Sequence, residues 1–264
     1  MFIAKTPLRV SFFGGSTDHP SFIEKHKKST VINFASNLYT YTTFFRDRFG
    51  YNSHQNKYIL NYSRKESCSN LKSIKNELIR ECLKHHNIPP VCIYFAGDIF
   101  AKGSGLGSSS SYTLSLLKCI YQYKKKVISQ YNLVKEALFI ERKFNKFCGF
   151  QDPFGCGTPG FKIISTINDN KYFINTLDNE IFKKFHFYLL PTFIHRNSKK
   201  ILKNLSTKSN LIYPLLEVAR EAENHILNKD YLKFLELINV SWDLKRQSSP
   251  KIINSNKLIQ IDNE

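Results

Sequence analysis

Residues Lys102-Gly103-Ser104-Gly105-Leu106-Gly107-Ser108-Ser109-Ser110-Ser111 decide the reading of this chain. Ahead of them, Val91–Ala96 is a compact apolar run that predicts a strand. Behind them, Ser108–Tyr123 is apolar throughout and predicts a helix opened by four serines. Glycines let a backbone take left-handed angles and come close to a ligand. The first amides of a helix have no internal partner and point outward with the positive end of its dipole. A strand, a glycine loop and a helix N-terminus therefore make a polyphosphate site, with serine hydroxyls as further donors or metal ligands. The stretch is not a dinucleotide fingerprint, because Ser108 stands where the third glycine belongs and no acidic residue closes a second strand. It is not a Walker A loop either, since no Gly-Lys-Ser or Gly-Lys-Thr follows. Taken alone, a Gly/Ser turn capping a buried helix would give the same pattern.

Working outward, Phe2–Phe13 predicts a strand that ends at Gly14-Gly15, and Ser21–Lys28 a short helix. Thr30–Arg46 predicts one or two strands and Tyr58–Ser63 another. Asn76–His86 is helical in period and closed by Pro89-Pro90, and Leu133–Phe147 is amphipathic and helical. Asp152–Gly160, with its prolines and glycines, predicts a loop, followed by a strand at Phe161–Ile167. Phe185–Ile194 predicts a strand. Ser198–Leu205, Leu211–Asn228 and Tyr231–Arg246 predict helices. Strands cluster early and helices late, the order of an α+β fold and not of regular βαβ alternation. A second unit is expected to begin near Lys171.

Composition narrows the function. A chain of 264 residues with 42% hydrophobic and 14% aromatic residues can bury a sizeable core. It contains no apolar run of about 18 residues that would span a membrane. The N-terminus has no basic leader, so it reads as a first strand and the expected location is the cytoplasm. The six cysteines form no CxxC pair and read as reduced, buried thiols. The formal charge of +18 is scattered along a sequence rich in Lys, Asn, Ile, Phe and Tyr. That residue set explains the charge without a nucleic-acid partner, and anionic small molecules can use part of it. An RNA-binding protein is the weaker rival, to be recognised by binding with a steep salt dependence.

Three ordered motifs resemble one family. Gly103–Ser111 is similar to the second signature of the GHMP kinases, the galacto-, homoserine, mevalonate and phosphomevalonate kinase superfamily. Thr6-Pro-Leu-Arg-Val-Ser-Phe-Phe-Gly-Gly-Ser-Thr-Asp18 resembles the N-terminal signature of the branch that phosphorylates heptose 7-phosphate. Phe139-Ile-Glu-Arg142, Gly149-Phe-Gln-Asp-Pro-Phe154 and Gly157-x-x-Gly160-Phe161 resemble later segments of the same branch. The resemblance covers residues 1 to 165 well and continues weakly through Leu189–Ile201. It implies a two-lobed α+β fold, with a ribosomal protein S5 domain 2-like N-terminal lobe and a ferredoxin-like C-terminal lobe. The expected division is an ATP-binding domain over 1–170 and a partial C-terminal domain over 171–264.

The resemblance also implies roles. ATP and Mg2+ would be the cofactors, with Lys102, Gly103, Ser104, Gly105, Leu106, Gly107, Ser108, Ser109 and Ser110 around the nucleotide. Asp152 matches the catalytic aspartate, Glu141 the magnesium-binding carboxylate and Ser109 the hydroxyl of that metal site. Arg9, in an otherwise apolar strand, needs a partner if buried. An ion pair would supply one, and the family places it near the transferred phosphoryl group or Asp152. Asp18, His19 and Gln151 would meet a sugar or sugar-phosphate substrate, although Asp18 in a Ser-Thr-Asp-His-Pro turn also has an ordinary turn role. The family's third, glycine-rich signature is not found before Glu264, and no glycine follows Gly160. The C-terminal lobe is therefore expected to be incomplete, and a non-catalytic nucleotide- or sugar-binding relative is the alternative. Part of the apolar stripes Leu215, Leu216, Val218, Ala219 and Leu232, Leu235, Ile238, Trp242 is expected to stay exposed and to drive self-association.

Overall fold

A computed structural model describes residues 1–46, 56–99, 103–191 and 209–248. Among them it shows seven strands and eight α-helices: β1 (Phe2–Phe13), α1 (Pro20–His26), β2 (Lys28–Phe45), β3 (Tyr58–Asn61), β4 (Lys65–Cys68), α2 (Glu77–His85), β5 (Cys92–Gly97), α3 (Ser108–Tyr123), α4 (Gln130–Phe144), α5 (Gln151–Gly157), β6 (Phe161–Ile167), β7 (Lys171–Thr176), α6 (Glu180–Lys184), α7 (Ser209–Leu227) and α8 (Tyr231–Ser248). The α+β class is as expected. The chain forms two compact units, one of Met1–Arg9, Ala35–Cys148 and Asp152–Pro159, the other of Val10–Phe34, Gly149–Gln151 and Gly160–Glu264.

In the first unit, the C-terminal half of β2 pairs antiparallel with β5, from Thr40 opposite Gly97 to Phe45 opposite Cys92. β5 pairs parallel with β3, and β3 forms a hairpin with β4. Helices α2, α3 and α4 pack on one another, and their buried faces include Ile79, Leu83, Leu117, Ile120, Ala137 and Ile140. α3 is fastened by hydroxyls as well as by apolar contact. Thr40 Oγ1 lies 2.7 Å from Ser111 Oγ, Thr42 Oγ1 lies 2.6 Å from Ser115 Oγ, and Ser111 Oγ donates to the Thr6 carbonyl at 2.9 Å. Each of these buried hydroxyls has a partner, as burial requires. Serines, being small, also let the helix come close to the strands. All six cysteines are buried thiols, none in a disulfide.

In the second unit, the N-terminal half of β2 pairs antiparallel with β6, from Lys28 opposite Ile167 to Phe34 opposite Phe161, and β6 pairs with β7. Helices α7 and α8 pack as a pair. Their core includes Phe13, Ile32, Phe161, Ala219, Ala222 and Phe234. Phe234 meets Phe12, Phe13 and Phe161 edge-on, with ring centroids 5.7, 5.0 and 6.1 Å away.

Three expectations need correction. The predicted loop Asp152–Gly160 is helical over most of its length: Gln151–Gly157 forms a helix, with Pro153 in its first turn, where a missing N–H costs nothing. Described residues 185–191 form no strand, because Phe185 and Phe187 pack by side chain around Phe12, Phe34 and Phe182 in place of pairing by backbone. The apolar stripe of α7 is covered: Leu215 and Leu216 pack with Phe22 of α1, and Val218 and Ala219 join the core. On α8, Leu235 and Ile238 lean on that core, while Leu232 is 66% exposed. The predicted helix Ser198–Leu205 and the end of the predicted strand, 192–194, lie outside the described residues.

Phe234→Ala should cost about 3–5 kcal/mol, as removal of a buried aromatic does. Leu232→Ala, two residues away on the exposed face, should change stability by about 0.5 kcal/mol or less. Trp242 is the sole tryptophan and lies in α8, so urea unfolding followed by its fluorescence separates the two. Equal midpoints would refute the assignment of Phe234 to the core.

Candidate active site

The described part of the glycine loop follows β5 and enters α3 at Ser108, and Gly103, Gly105 and Gly107 all have positive φ. Gly107 is the N-cap of α3 at φ 73°, and no side chain caps the helix. The first amides of such a helix have no intrahelical partner. A Cβ built on Gly105 would meet nothing within 4 Å, so open space lies over the loop there. Ser104 Oγ accepts the Leu106 N–H at 3.3 Å and holds the loop's shape. Ser108 begins the helix, Ser109 is exposed and Ser110 is buried. Lys102 lies outside the described residues.

Arg9 on β1 binds both the loop and α5. Its backbone N–H donates to the Leu106 carbonyl at 3.0 Å, and one guanidinium nitrogen donates to the Gly105 carbonyl at 2.5 Å. Its Nε donates to Asp152 Oδ1 at 3.0 Å, and a terminal nitrogen reaches the same oxygen. Arg9 is 7% exposed, whereas the Asp152 side chain is 39% exposed. The carboxylate is therefore gripped from below and open above. The packing explains two of the glycines: a Cβ on Gly107 would lie 2.9 Å from Cys156 Sγ, and one on Gly155 would lie 2.9 Å from Arg9 Cγ. The Cys156 thiol donates to the Gly107 carbonyl at 3.4 Å.

Glu141 of α4 is 3% exposed. Burial above all, and then the charge of Asp152, push its pKa up to about 8, against bonds from Ser110, Cys148 and Ser109 that act the other way. The Cys148 thiol donates to Oε2 at 3.7 Å. The Ser109 and Ser110 hydroxyls lie beside the carboxyl, yet Glu141 Oε1 and Ser110 Oγ are both buried without a well-formed hydrogen bond. A buried carboxylate oxygen and a buried hydroxyl, both unsatisfied, are hard oxygen donors of the kind Mg2+ takes. The residues present fit that ion.

The expected substrate residues belong to the second unit. Asp18 uses both oxygens on backbone: Oδ1 accepts the Ser16 N–H at 3.1 Å and Oδ2 the Gln151 N–H at 3.2 Å. It also presses on Gly149, where an added Cβ would lie 1.9 Å from Oδ2. Asp18 thus fixes the turn that leads into Asp152. His19 is buried and caps α1, its Nδ1 accepting the Ser21 N–H at 3.2 Å. Gln151 is 7% exposed and its Oε1 has no hydrogen-bond partner. One neighbour escaped the sequence reading. A Cβ on Gly15 would lie 2.8 Å from Lys245 Nζ and 3.5 Å from Gln151 Oε1. Nothing local in the sequence links positions so far apart.

Residues 71–160, which include the glycine loop, match the family described as GHMP kinases N terminal domain. The chain is 24% identical to a D-glycero-alpha-D-manno-heptose 7-phosphate kinase of Campylobacter jejuni, over 97% of this chain and 80% of that protein. In fold it is similar to a D-glycero-D-manno-heptose 1-phosphate kinase from Bacteroides thetaiotaomicron (TM-score 0.73, 19% identity, 93% of this chain and 79% of that one). It is also similar to a Streptococcus pneumoniae phosphomevalonate kinase in complex with phosphomevalonate and AMPPNP (TM-score 0.72, 13% identity, 95% and 81%). Among the described residues no helix is long and apolar enough to cross a membrane.

The raised pKa of Glu141 has a consequence for stability. Between about 4.5, the ordinary value, and about 8, the folded chain holds a proton that the unfolded chain has released. Metal-free stability should therefore fall as pH rises through that window. Melting curves of Glu141→Gln across the same range ought to lose this slope. A slope unchanged by the substitution would show that another group causes it.

Proposed function

We propose that this protein transfers the terminal phosphoryl group of ATP to a hydroxyl of a sugar phosphate, with a heptose 7-phosphate as the favoured acceptor, in the cytoplasm. The observation that carries this reading is the single guanidinium of Arg9, which joins the Gly105 carbonyl of the phosphate loop to the Asp152 carboxylate. That linkage holds a phosphate-binding backbone and a carboxylate in one fixed relation, and phosphoryl transfer depends chiefly on positioning and charge neutralisation.

Each residue has a part in the reaction. The amides of Gly103–Ser110 and the first turn of α3 hold the phosphates of the nucleotide, with Lys102 as a further cation. Glu141, Ser109 and Ser110 would hold Mg2+, which when bound would neutralise charge on the phosphates. Asp152 accepts the hydrogen bond of the acceptor hydroxyl and orients its oxygen toward the terminal phosphorus. As that oxygen bonds to phosphorus, the bond to the ADP oxygen breaks and Asp152 takes the hydroxyl proton. Arg9 keeps Asp152 in its rotamer and offers positive charge to the transferring group. Gln151, with its unsatisfied carbonyl, hydrogen-bonds the sugar, while Asp18 and His19 shape the turn on which it rests. All the groups assigned to ATP and catalysis fall within 1–170, the proposed ATP-binding domain.

The test is ADP release over a panel of sugar phosphates and free sugars. Heptose 7-phosphate should give the highest kcat/KM. Asp152→Asn should lower kcat about 100-fold or more, the usual contribution of a general base, while ATP still raises the melting temperature. Gly105→Val should abolish that ATP-dependent rise, since a β-branched residue at φ 79° is strained and its side chain fills the space over the loop. ATP binding without ADP release for any acceptor would instead identify a non-catalytic relative.

A further inference from the structure

His85 ends α2, His86 is its C-cap, and Glu136 lies on α4. None of the three belongs to the site above. His85 Nε2 lies 3.2 Å and His86 Nε2 2.7 Å from the same oxygen, Glu136 Oε1, and the three ligand atoms fall within 4.8 Å of one another. The His86 side chain is only 10% exposed. Despite the 2.7 Å contact, His86 Nε2 and Glu136 Oε1 are both buried without a well-formed hydrogen bond. Tyr121 of α3 donates to the other oxygen, Oε2, at 2.6 Å, and so fixes the carboxylate with Oε1 turned toward the imidazoles. An outer hydrogen bond of this kind is what orients a metal-bound carboxylate.

We propose that His85, His86 and Glu136 form a binding site for a divalent transition-metal ion of the zinc class, with water in the fourth position on the exposed His85 side. Two imidazoles and a carboxylate are a ligand set that Zn2+ takes, at about 2.0–2.2 Å. Ligand atoms at such distances on a tetrahedron are about 3.3 Å apart, close to the 3.2 Å between His85 Nε2 and Glu136 Oε1. His86 needs only a small outward shift. On binding, each Nε2 gives its lone pair to the ion and the imidazole proton resides on Nδ1. Lys143 Nζ, 3.5 Å from His85 Nδ1, then turns away toward the Phe139 ring, which it already meets at 4.6 Å. The bound ion ties the end of α2 to α4.

The site is independent of the kinase reading and is tested without activity. Chelator-treated full-length protein, titrated calorimetrically with ZnCl2, should take up one ion per chain. H85Q, H86Q and E136Q should each weaken binding at least tenfold, since the loss of an outer partner alone costs about 10–100-fold. Metal-free melting curves of the three variants report whether each retains its fold, and His85, the most exposed of the three, gives the variant least able to disturb it. Co2+ bound in place of zinc should show tetrahedral bands without thiolate charge transfer. Failure of the wild-type chain to bind Zn2+ would overturn the proposal. So would binding undiminished in H85Q and E136Q, which would place the ion elsewhere on the chain.

Discussion

The guanidinium of Arg9 is the constraint on which the candidate site depends. A nearly buried arginine is destabilising unless its charge and donors are met, and here the Asp152 carboxylate and the Gly105 carbonyl help to meet them. The neighbouring glycines follow from it, because the arginine stem occupies the space where side chains at positions 107 and 155 would go. Loop shape, helix α5 and the presentation of Asp152 are therefore parts of a single packing problem.

Glu141 is held under a different logic. Asp152 is paired and partly open to solvent, whereas Glu141 is enclosed and forms no ion pair among the described residues. Two carboxylates in one unit thus have opposite environments, the arrangement by which proteins give similar groups different work. The unsatisfied Ser110 hydroxyl beside Glu141 belongs to the same design. It moves attention from Ser109 alone, the residue suggested by motif position, to the pair of serines.

Much of this was legible in the sequence. The loop, the helix that follows it and the late helix pair announced themselves through glycine spacing and apolar period. The need of Arg9 for a partner followed from its strand. Other features were not legible, for identifiable reasons. Helix α5 was obscured by Pro153, which suits a first turn, and by Gly155 and Gly157, whose positions answer to tertiary contacts with Arg9 and Val134 and not to local propensity. Phe185–Phe187 reads as strand because aromatic residues favour strands, yet side-chain packing claims it instead. The two backbone bonds of Asp18, and the nearness of Lys245 to Gly15, join positions that only folding brings together.

The hydroxyl contacts between α3 and the strands carry one more implication. Ser111 meets Thr40 and Ser115 meets Thr42 at matched steps along helix and strand. Sliding the helix by one residue would strand both pairs in a dry interior. The helix therefore has one allowed register, in the manner of a key cut with two notches. The amides at its start are set in place when the chain folds, so under the proposed function a phosphate would meet them already ordered. The entropy of arranging them would then be spent once, during folding, and not at every encounter with a ligand.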